Sequence, residues 1–343
     1  MSRRVTILDI AKELNTTAAT VSRALNDHPR ISYEMKVRVQ NCAEKLNFKI
    51  NKIASSLRSG KSHLIGVMIP SAEINFFGSV VHGIESIANN EGYNVLIYQT
   101  NEMKDHEIQG IATFLSARVD GIVVSISKQT EDFTHFLEVK SKGIPIAFFD
   151  RHNDQLGIPS VVVDDFKGAY LATSHLIDQG YRHVAHVAGP DHVQIFHDRK
   201  MGYMQALKDH HRPIIYDWIV DGNVSIEAGR NGIKQLLKGA QKPDAVFAVE
   251  DFTALGAIKE LKHQGVIIPT EFGVMGFANE LFGEHITPSL SSIDQQTVNM
   301  GKEVCNLILE HIKNIKSPHI LEVRNIKLEP IPVFRDSSNR KLA

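Results

Sequence analysis

From residue 64 onward, short apolar segments alternate with amphipathic stretches, and this alternation restricts the fold more than any other feature. The first strand candidates are LIGVMIP, YNVLIYQ, DGIVVSI and PIAFFD, and helical spacing lies between them near residues 77–91, 103–117 and 130–141. A second series contains HVAHVAG, DAVFAV and FGVMGF, with helices near 197–210, 226–238 and 252–264. Strands that alternate with helices form parallel sheets with right-handed crossovers, so the pattern predicts an α/β body in two similar halves.

Polar, acidic and aromatic side chains follow the predicted strands. In α/β folds ligands bind at the carboxyl ends of the strands, and this combination suits the hydroxyls and apolar faces of a sugar. For any one of these residues, capping of a loop is an equally good interpretation. The candidates are Asn75, Phe76 and Phe77; Asp150 and Arg151; Asp164 and Asp165; Glu250 and Asp251; and Asn279 with Glu280.

The first 49 residues have the pattern of three short helices. Thr6 and Asp9 have the spacing of a capping box, and Thr17 and Ser32 can cap the second and third helices. Each helix has one apolar stripe, so the three can close a small core. The stripes contain Ile7, Ile10, Ala11 and Leu14; Val21 and Leu25; and Met35, Val39, Cys42 and Leu46.

The charge of the chain is unevenly distributed. Residues 1–62 contain 12 Lys and Arg against 5 Asp and Glu, whereas the remainder contains 26 against 34, although the net charge is only −1. A basic head on an acidic body indicates that the head binds a polyanion. Chance variation of charge between small domains is the alternative.

The second helix presents an unusual outward face if Val21 and Leu25 point inward. Small side chains let a backbone approach a surface closely, helix N-terminal amides attract phosphate, and arginine can bind guanine O6 and N7 in the major groove. The pattern favours DNA binding over a simple solvated face. The outward residues are Ala18, Ala19, Ser22, Arg23 and Asn26.

Composition excludes several other classes. The 343 residues suffice for two or three domains, and 43% hydrophobic with 22% charged residues is typical of globular proteins. The sequence has no run of about 18 apolar residues for a membrane span, and its start has no apolar core of a signal peptide. Cys42 and Cys305 are too few for a disulfide framework, which favours a reducing compartment and hence the cytoplasm.

The segments VTILDIAKELNTTAATVSRALN and KLNFKINKIASSLRSGKSHLIGVMIP resemble the lactose-repressor (LacI) family of transcription regulators. The resemblance extends over nearly the whole chain. It implies a small all-α helix-turn-helix domain followed by a two-lobed core like that of type I periplasmic sugar-binding proteins, with three crossovers. It also implies that Ala18, Ala19 and Arg23 face bases and that phosphates are bound by Thr17, Thr20, Ser22, Asn26 and Ser32. Because two alanines offer little more than methyl contacts, we expect Arg23 and Arg30 to carry the direct readout, and we add Thr6 to the DNA-binding set.

The segment after Phe48 resembles the family hinge, which folds on DNA and enters the minor groove as a pair. Leu57 matches the leucine that wedges between base steps there. Asn51, Ala54 and Arg58 match its companions, and Ile50 stands where relatives usually have proline. Without the fixed φ of proline, we expect a looser entry to the hinge.

The resemblance also assigns residues to the ligand site. It places Arg199 in the cleft and aligns Glu250 and Asp251 with a pair of polar ligand contacts. Val224 replaces an aromatic residue that stacks on the ligand in many relatives. Ala278 replaces an aspartate, so Asn279 or Glu280 would have to substitute for it.

These features predict the domain boundaries. Residues 1–49 form the headpiece, 50–62 the hinge, 63–336 the effector-binding and dimerisation core, and 337–343 a polar tail. Within the core we expect lobe one at 63–162 plus 293–325 and lobe two at 163–292 plus 326–336.

The combined prediction is a homodimeric repressor of carbohydrate genes. It would bind a pseudo-palindromic double-stranded DNA operator and a sugar or sugar phosphate in the inter-lobe cleft, with the helices near 77–91 and 297–313 as dimer surfaces. One alternative is a LacI-type regulator controlled by a partner protein. Another is a sugar-transport protein, which would leave the basic head unexplained.

An enzyme is the least favoured interpretation. His183 and His186 would lie on opposite faces of one strand, and His192 and His197 are the other candidates for a metal site. No HExxH, GxSxG or P-loop motif occurs in the sequence. We therefore expect no catalytic residues, no metal and no cofactor.

Overall fold

The computed structural model describes residues 5–48, 61–314 and 324–340, and the chain divides into two compact units, residues 1–62 and 63–343. The first unit has a core of side chains from three helices, among which Ile10, Val21 and Val39 are completely buried. The apolar stripes predicted from the sequence all contribute to this core. The helices are α1 (Ile7–Glu13), α2 (Ala18–Leu25) and α3 (Tyr33–Lys45).

Each helix of the first unit is followed by an asparagine or aspartate with a left-handed backbone. Asn15, Asp27 and Asn47 have φ near 50°, a region that these two residue types tolerate better than most side chains. At the opposite ends, the Thr17 and Ser32 hydroxyl oxygens accept N–H groups of the first turns of α2 and α3. The short helices therefore have defined ends in spite of their length.

The second unit contains two parallel sheets and one two-stranded ribbon. The first sheet has the order β11-β5-β4-β3-β1-β2, the second has the order β7-β6-β8-β9, and β10 pairs antiparallel with β12. The strands are β1 (Leu64–Ile69), β2 (Asn94–Gln99), β3 (Gly121–Val124), β4 (Ile146–Phe149), β5 (Ser160–Val163), β6 (Val184–Val187), β7 (Ile219–Val220), β8 (Ala245–Ala248), β9 (Gly273–Met275), β10 (Ser292–Asp294), β11 (Asn325–Leu328) and β12 (Ile331–Val333).

Helices cover both sheets and pack in pairs at glycines. A Cβ at Gly256 would overlap the carbonyl oxygen of Ile226, and a Cβ at Gly301 would overlap that of Val80. Backbones therefore approach closely where α4 meets α11, where α7 meets α8 and where α9 meets α10. The helices are α4 (Asn75–Asn90), α5 (Lys104–Ala117), α6 (Thr134–Ser141), α7 (Asp165–Asp178), α8 (Gln194–Asp209), α9 (Ile226–Lys238), α10 (Asp251–His263) and α11 (Thr297–Asn314). Within the described ranges, no helix has the length and apolarity needed to cross a bilayer.

The α/β class, the parallel sheets and the two similar lobes follow the sequence prediction. The prediction did not include α7 or the short strands β5, β7, β10, β11 and β12. β5 has only four residues, and α7 is buried around much of its circumference, so its sequence has no single apolar stripe. The chain crosses between the lobes between β5 and α7, between β10 and α11, and between β11 and β12.

Three predicted boundaries were wrong. Residues 293–294 belong to the second lobe, since β10 pairs with β12 and Asp294 forms a bridge with Ala278. Residues 326–328 belong to the first lobe, since β11 pairs with β5 as far as Leu328. The predicted polar tail also begins too early, because Ser337 and Ser338 are completely buried in the second lobe. The Ser337 hydroxyl donates to the Val274 carbonyl at 2.7 Å, and the Ser338 and Ser291 hydroxyls are 2.6 Å apart. Hydrogen bonds thus compensate the burial of these polar groups.

Candidate nucleic-acid interface and ligand cleft

The outward face of α2 consists of small side chains around one arginine. Ala19 and Arg23 are exposed, and Ala18, Thr20 and Ser22 are partly exposed. Val21 and Ala24 fill the inward face, and Leu25 packs at its edge. Ala18, predicted to point outward, also packs partly against this core. The helix therefore offers a shallow backbone surface with one long, forked donor, which is a shape that can enter the major groove.

The hydroxyl residues around α2 serve first as helix caps. Thr17 Oγ1 accepts the N–H of Thr20 at 3.1 Å, and Ser32 Oγ accepts the N–H of Met35 at 3.3 Å. Thr6 donates both its N–H and its hydroxyl to Asp9 Oδ2, at 2.8 and 2.7 Å. A hydroxyl that accepts a capping bond can still donate its own proton. Thr17 Oγ1 and Thr20 Oγ1 lie 2.9 Å apart, so one of these two hydroxyls donates to the other, and the Thr6 hydroxyl donates to Asp9.

The remaining predicted DNA contacts lie in or near the turn after α2. Asn26 ends the helix and donates from Nδ2 to the Ser22 carbonyl at 2.7 Å, which leaves one amide hydrogen for a further bond. Arg30 is exposed, with its backbone N–H bonded to His28 Nδ1 at 3.2 Å. The hinge candidates lie outside the described residues: Ile50, Asn51, Ala54, Leu57 and Arg58.

A cavity of about 460 Å³ opens in the second unit between the carboxyl ends of the two sheets. Both lobes contribute to its wall. The aromatic part comes from Phe76 and Phe77 of α4, Phe196 of α8 and Phe252 of α10, and the first two rings meet edge to face at 5.1 Å. The charged lining consists of Glu73, Glu102, Asp150, Glu250, Glu280, Lys128, Arg151 and Arg199.

Arg199 is held by a buried ion pair with Asp165. Its Nε and Nη2 each lie 2.7 Å from Asp165 Oδ1, and Nη1 donates to the Val249 carbonyl at 2.8 Å. The guanidinium also stacks over the Phe277 ring at 3.7 Å. Burial raises the pKa of Asp165 to about 7 in spite of its cationic partner, so this pair is expensive to desolvate.

A second charged group occupies the lobe-one wall. Arg151 Nη1 donates to Glu102 Oε2 at 2.7 Å, and Lys128 Nζ lies 3.6 Å from Glu102 Oε1. Burial opposes ionisation of Glu102, but the two cations outweigh it and lower the pKa of this carboxyl. Asp150 Oδ2 lies 3.9 Å from Arg151 Nε, and burial raises its pKa.

Glu280 connects the two lobes across the cleft. Its Oε1 accepts the N–H of Phe76 at the start of α4 at 3.2 Å, and its own N–H donates to Asp251 Oδ2 at 2.7 Å. Burial raises the pKa of Glu280, and it raises that of Asp251 to about 7. A second link joins His192 Nε2 and the Lys128 carbonyl at 2.7 Å. The cleft is thus bridged at two places.

Two buried donors at the cavity have no hydrogen-bond partner within the described residues. They are Gln295 Nε2 and Arg151 Nε, on side chains that are 2% and 9% exposed. Gln295 lies in the connection from β10 to α11, where the chain crosses between lobes. A buried donor without an acceptor is costly. Both nitrogens are themselves covered by neighbouring atoms, so a ligand oxygen becomes a partner for them only when the lining side chains shift on binding.

The structure brings together only part of the ligand set predicted from the sequence. Phe76, Phe77, Asp150, Arg151, Arg199, Val224, Glu250 and Glu280 line the cavity. Asp165 and Asp251 lie behind the lining, where they hold Arg199 and Glu280. The other predicted residues bond elsewhere or are exposed: Asp164 caps α7, Asn279 binds Asp294 and Arg335, and Asn75 begins α4.

Sequence reasoning missed several lining residues. Glu102, Lys128 and Gln295 lie beyond the ends of β2, β3 and β10. These are positions covered by the strand-end rule, which states that ligands of α/β folds bind at the carboxyl ends of the strands. β10 was not predicted as a strand, so no signal pointed to Gln295. Glu250 also has a structural role, because its carboxylate caps α10 through Phe252 and Thr253 N–H at 2.9 and 2.7 Å.

The histidines considered for a metal site lie apart. His186 is completely buried between the rings of Tyr203 and Phe247, and burial lowers its pKa to about 4. His183 packs against Trp218, and His197 Nδ1 lies 3.1 Å from Asp191 Oδ1. In the described part of the chain, no three His, Cys, Asp or Glu residues are grouped to hold a metal ion.

Both units of the chain match known protein families. The profile of bacterial regulatory proteins of the lacI family matches residues 6–51, and that of periplasmic binding proteins and the sugar-binding domain of the LacI family matches residues 62–329. The catabolite control protein A of Priestia megaterium is 30% identical over 93% of this chain and 98% of its own. The probable transcriptional repressor ExuR of Bacillus subtilis (strain 168) is 32% identical over 93% and 95%. Among solved structures, a Lac repressor dimer bound to operator and the anti-inducer ONPF has a TM-score of 0.87, with 23% identity over 98% and 99% of the two chains.

Proposed function

The chain belongs to the LacI family of DNA-binding transcriptional regulators, and from this premise we propose that it represses carbohydrate genes as an effector-controlled homodimer. The proposal rests on the presence of two features in one chain. The first unit has an exposed α2 face that bears an arginine, and the second unit has a charged cleft. Operator DNA would place the protein in the cytoplasm. Its relatives are regulators, not enzymes.

At DNA, α2 lies in the major groove with Ala18 and Ala19 closest to the bases. Arg23 supplies the direct hydrogen-bond readout, helped by Arg30, because two alanines offer little more than methyl contacts to thymine. Thr17, Thr20, Ser22, Asn26 and Ser32 bind phosphates and set the register, with Thr6 at the rim after release of Asp9.

The hinge and the dimer extend this reading surface. By resemblance, paired hinges insert Leu57 into the minor groove at the centre of a pseudo-palindromic operator, with Asn51, Ala54 and Arg58 beside it. The partner subunit packs on the outward faces of α4 and α11, whose inward faces already pack against each other. A symmetric dimer places two heads on two half-sites.

The cleft binds a small polyhydroxylated effector. Gln295 Nε2 and Arg151 Nε offer donors, Asp150 and Glu280 offer acceptors, and the aromatic wall accepts the C–H face of a sugar ring. Glu280 bridges the lobes, so a ligand that displaces or reinforces this bridge shifts the equilibrium between lobe arrangements. The shift in DNA affinity equals the differential affinity of the ligand for the two states.

A regulator controlled by a partner protein is the second candidate, and two cavity positions favour it. Val224 and Ala278 stand where many relatives have a stacking aromatic and an aspartate, and both have positive φ, of 40° and 124°. A β-branched residue rarely has positive φ, so Val224 is held there at some cost. A protein that docked outside the cleft would not need these contacts.

Selection from random duplex DNA with the full-length protein, followed by sequencing of the bound fraction, tests the proposal. We expect a two-fold-symmetric site with a deformable central step. Binding to every sequence alike, with only a steep dependence on salt, would contradict specific reading. Release of the selected DNA by a panel of small sugars then distinguishes effector control from control by a partner protein.

A further inference from the structure

The cavity of the second unit has more carboxylates than its cations can compensate. Its lining holds five carboxylates and three cations, a formal charge of −2 when all are ionised. Asp165, whose pKa burial raises to about 7, lies directly behind Arg199 and offsets part of the positive charge of that guanidinium. A cleft of this composition has a negative potential that low-dielectric walls strengthen.

Each lining cation already has a carboxylate partner. Arg199 pairs with Asp165 at 2.7 Å, Arg151 pairs with Glu102 at 2.7 Å, and Lys128 lies 3.6 Å from the same Glu102. A ligand phosphate would therefore have to compete with a buried internal carboxylate for every one of these cations. Such competition breaks a pair and leaves a buried charge without compensation, which is strongly unfavourable.

Three other cavity carboxylates, those of Asp150, Glu250 and Glu280, are only partly compensated by cations. Burial raises the pKa of Glu250, and the positive charge of Arg199 offsets only part of that rise. Glu280 is 4% exposed, and its contacts in the described chain are the Phe76 N–H on Oε1 and charge repulsion from Glu250. Glu250 accepts only neutral donors from the start of α10. Asp150 shares Arg151 with Glu102 at the longer distance of 3.9 Å. A positive ligand group would compensate these three carboxylates.

The uncharged part of the lining is suited to the rest of such a ligand. Gln295 Nε2 and Arg151 Nε need oxygen acceptors, which hydroxyl groups supply. The rings of Phe76, Phe196 and Phe252 form apolar faces in the same wall. Aromatic faces stabilise both the C–H surface of a sugar and an ammonium group.

We propose that the effector is a sugar-like polyol that carries a protonated amine, and that phosphorylated sugars are excluded. The inference rests on the proposed function, since it specifies the ligand of the same cleft. The amine would pair with carboxylates among Asp150, Glu250 and Glu280, and the hydroxyls would accept from Gln295 and Arg151 once the lining side chains shift. The charge of the pocket, and not its size, selects the ligand.

Isothermal titration calorimetry of the full-length protein with two matched sugar series tests this assignment. The probes are glucosamine, glucose and glucose 6-phosphate, and galactosamine, galactose and galactose 6-phosphate. In at least one series we expect the amine to bind at least tenfold more tightly than the neutral sugar, with no detectable binding of the phosphate. A phosphate that binds as tightly as its parent sugar overturns the proposal, and so does the absence of binding by all six compounds.

Variants locate the preference in the cavity. Glu280→Gln keeps an acceptor for the Phe76 N–H but removes the charge, so the preference for amine over neutral sugar should fall below threefold. Asp150→Asn is the second variant and should act in the same direction. Asp105→Asn removes an exposed carboxylate of α5 and should leave the preference unchanged. An unchanged preference in both cavity variants would contradict the proposal.

The DNA selection tests the proposed function independently of the ligand preference. A protein that selects a symmetric operator but discriminates no amine retains its proposed function and loses the inference about its ligand. A protein that selects no operator loses the proposed function, whatever the calorimetry shows.

Discussion

The head and the body place their functional side chains in opposite environments. On α2 of the head, Ala19 and Arg23 are exposed and contribute nothing to the core formed by Ile10, Val21 and Val39. In the cleft of the body, Arg199 and Asp165 are 3% and 5% exposed and are built into the packing of the second lobe. The head can therefore change its reading surface without loss of stability, whereas the body cannot easily change its binding site.

This difference reflects what each unit has to do. The major groove of DNA is hydrated and accessible, so an exposed helix face with mobile donors can reach the base edges. A small ligand has few atoms, so a site must remove it from water and orient its own groups beforehand. Because the charged groups of the site are already buried before a ligand binds, changes to the site also change the stability of the fold. The following predictions test whether stability and function separate in the head and coincide in the body.

Loss of the buried cation should have the largest effect. Arg199→Met leaves Asp165 buried without compensation, and we expect the second unit to lose about 3–5 kcal/mol of free energy of unfolding. Urea denaturation at pH 8 measures this loss. The double variant with Asp165→Leu should recover most of it, since both charges are then absent. A loss below about 1 kcal/mol in Arg199→Met would show that the pair is dispensable.

The buried carboxyl of Asp251 should make stability depend on pH. Burial raises its pKa to about 7, so the folded state holds this proton more tightly than the unfolded chain, whose aspartates titrate near 3.8. Its contribution is fully present below the unfolded pKa and is lost as pH rises through 7. Between pH 5 and 8.5 we expect a decline of about 2–3 kcal/mol from this group.

Asp251→Asn isolates that contribution. The amide keeps acceptor and donor positions for the Glu280 N–H and the Ser292 hydroxyl, which lie 2.7 and 2.6 Å from the carboxylate. Denaturation at a series of pH values should show a shallower decline in this variant than in the wild type. Asp105→Asn, on the surface of α5, serves as the matched control. Equal slopes in wild type and Asp251→Asn would be inconsistent with a raised pKa.

The glycine contacts between helices extend the comparison to packing. Gly256→Ala would drive a methyl group into the Ile226 carbonyl, and we expect a loss of about 1–3 kcal/mol. Gly78→Ala is the control, because Gly78 lies in α4 with no atom within 4 Å of a Cβ, and there the change should stabilise by about 0.5–1 kcal/mol. Thermal unfolding of both variants measures these changes in stability. A stabilised Gly256→Ala protein would contradict close contact between α9 and α10.

In the head, function should change while stability does not. Arg23→Ala should weaken operator binding by about 1–3 kcal/mol and relax the base preference, whereas Ser22→Ala should weaken all sequences alike. Competition binding against single-base operator variants measures both effects. Melting temperatures of the two proteins should match the wild type, since Arg23 is exposed. Loss of affinity by both variants with unchanged base preference would refute the assignment of readout to Arg23.

Periodicity explains why the head could be interpreted from the sequence. Helical spacing of Val21 and Leu25 separates an inward from an outward face, and caps at Thr17 and Ser32 define the ends, so local rules identify the exposed residues. The strand-end rule was less successful in the body. It identified Asp165 and Asp251, but their carboxylates turn away from the cavity to hold Arg199 and the Glu280 backbone.

Local sequence patterns suffice to predict the α/β class of the body, the three helices of the head and the exposed face of α2. All of these depend on the period of one helix or strand. Tertiary packing brings distant side chains together: Gln295 and Arg151 line the same cavity, although 144 positions separate them in the sequence. It also buried Ser337 and Ser338 of the expected tail. Pairing between distant segments depends on how sheets and crossings bring them together, and no local period records that arrangement.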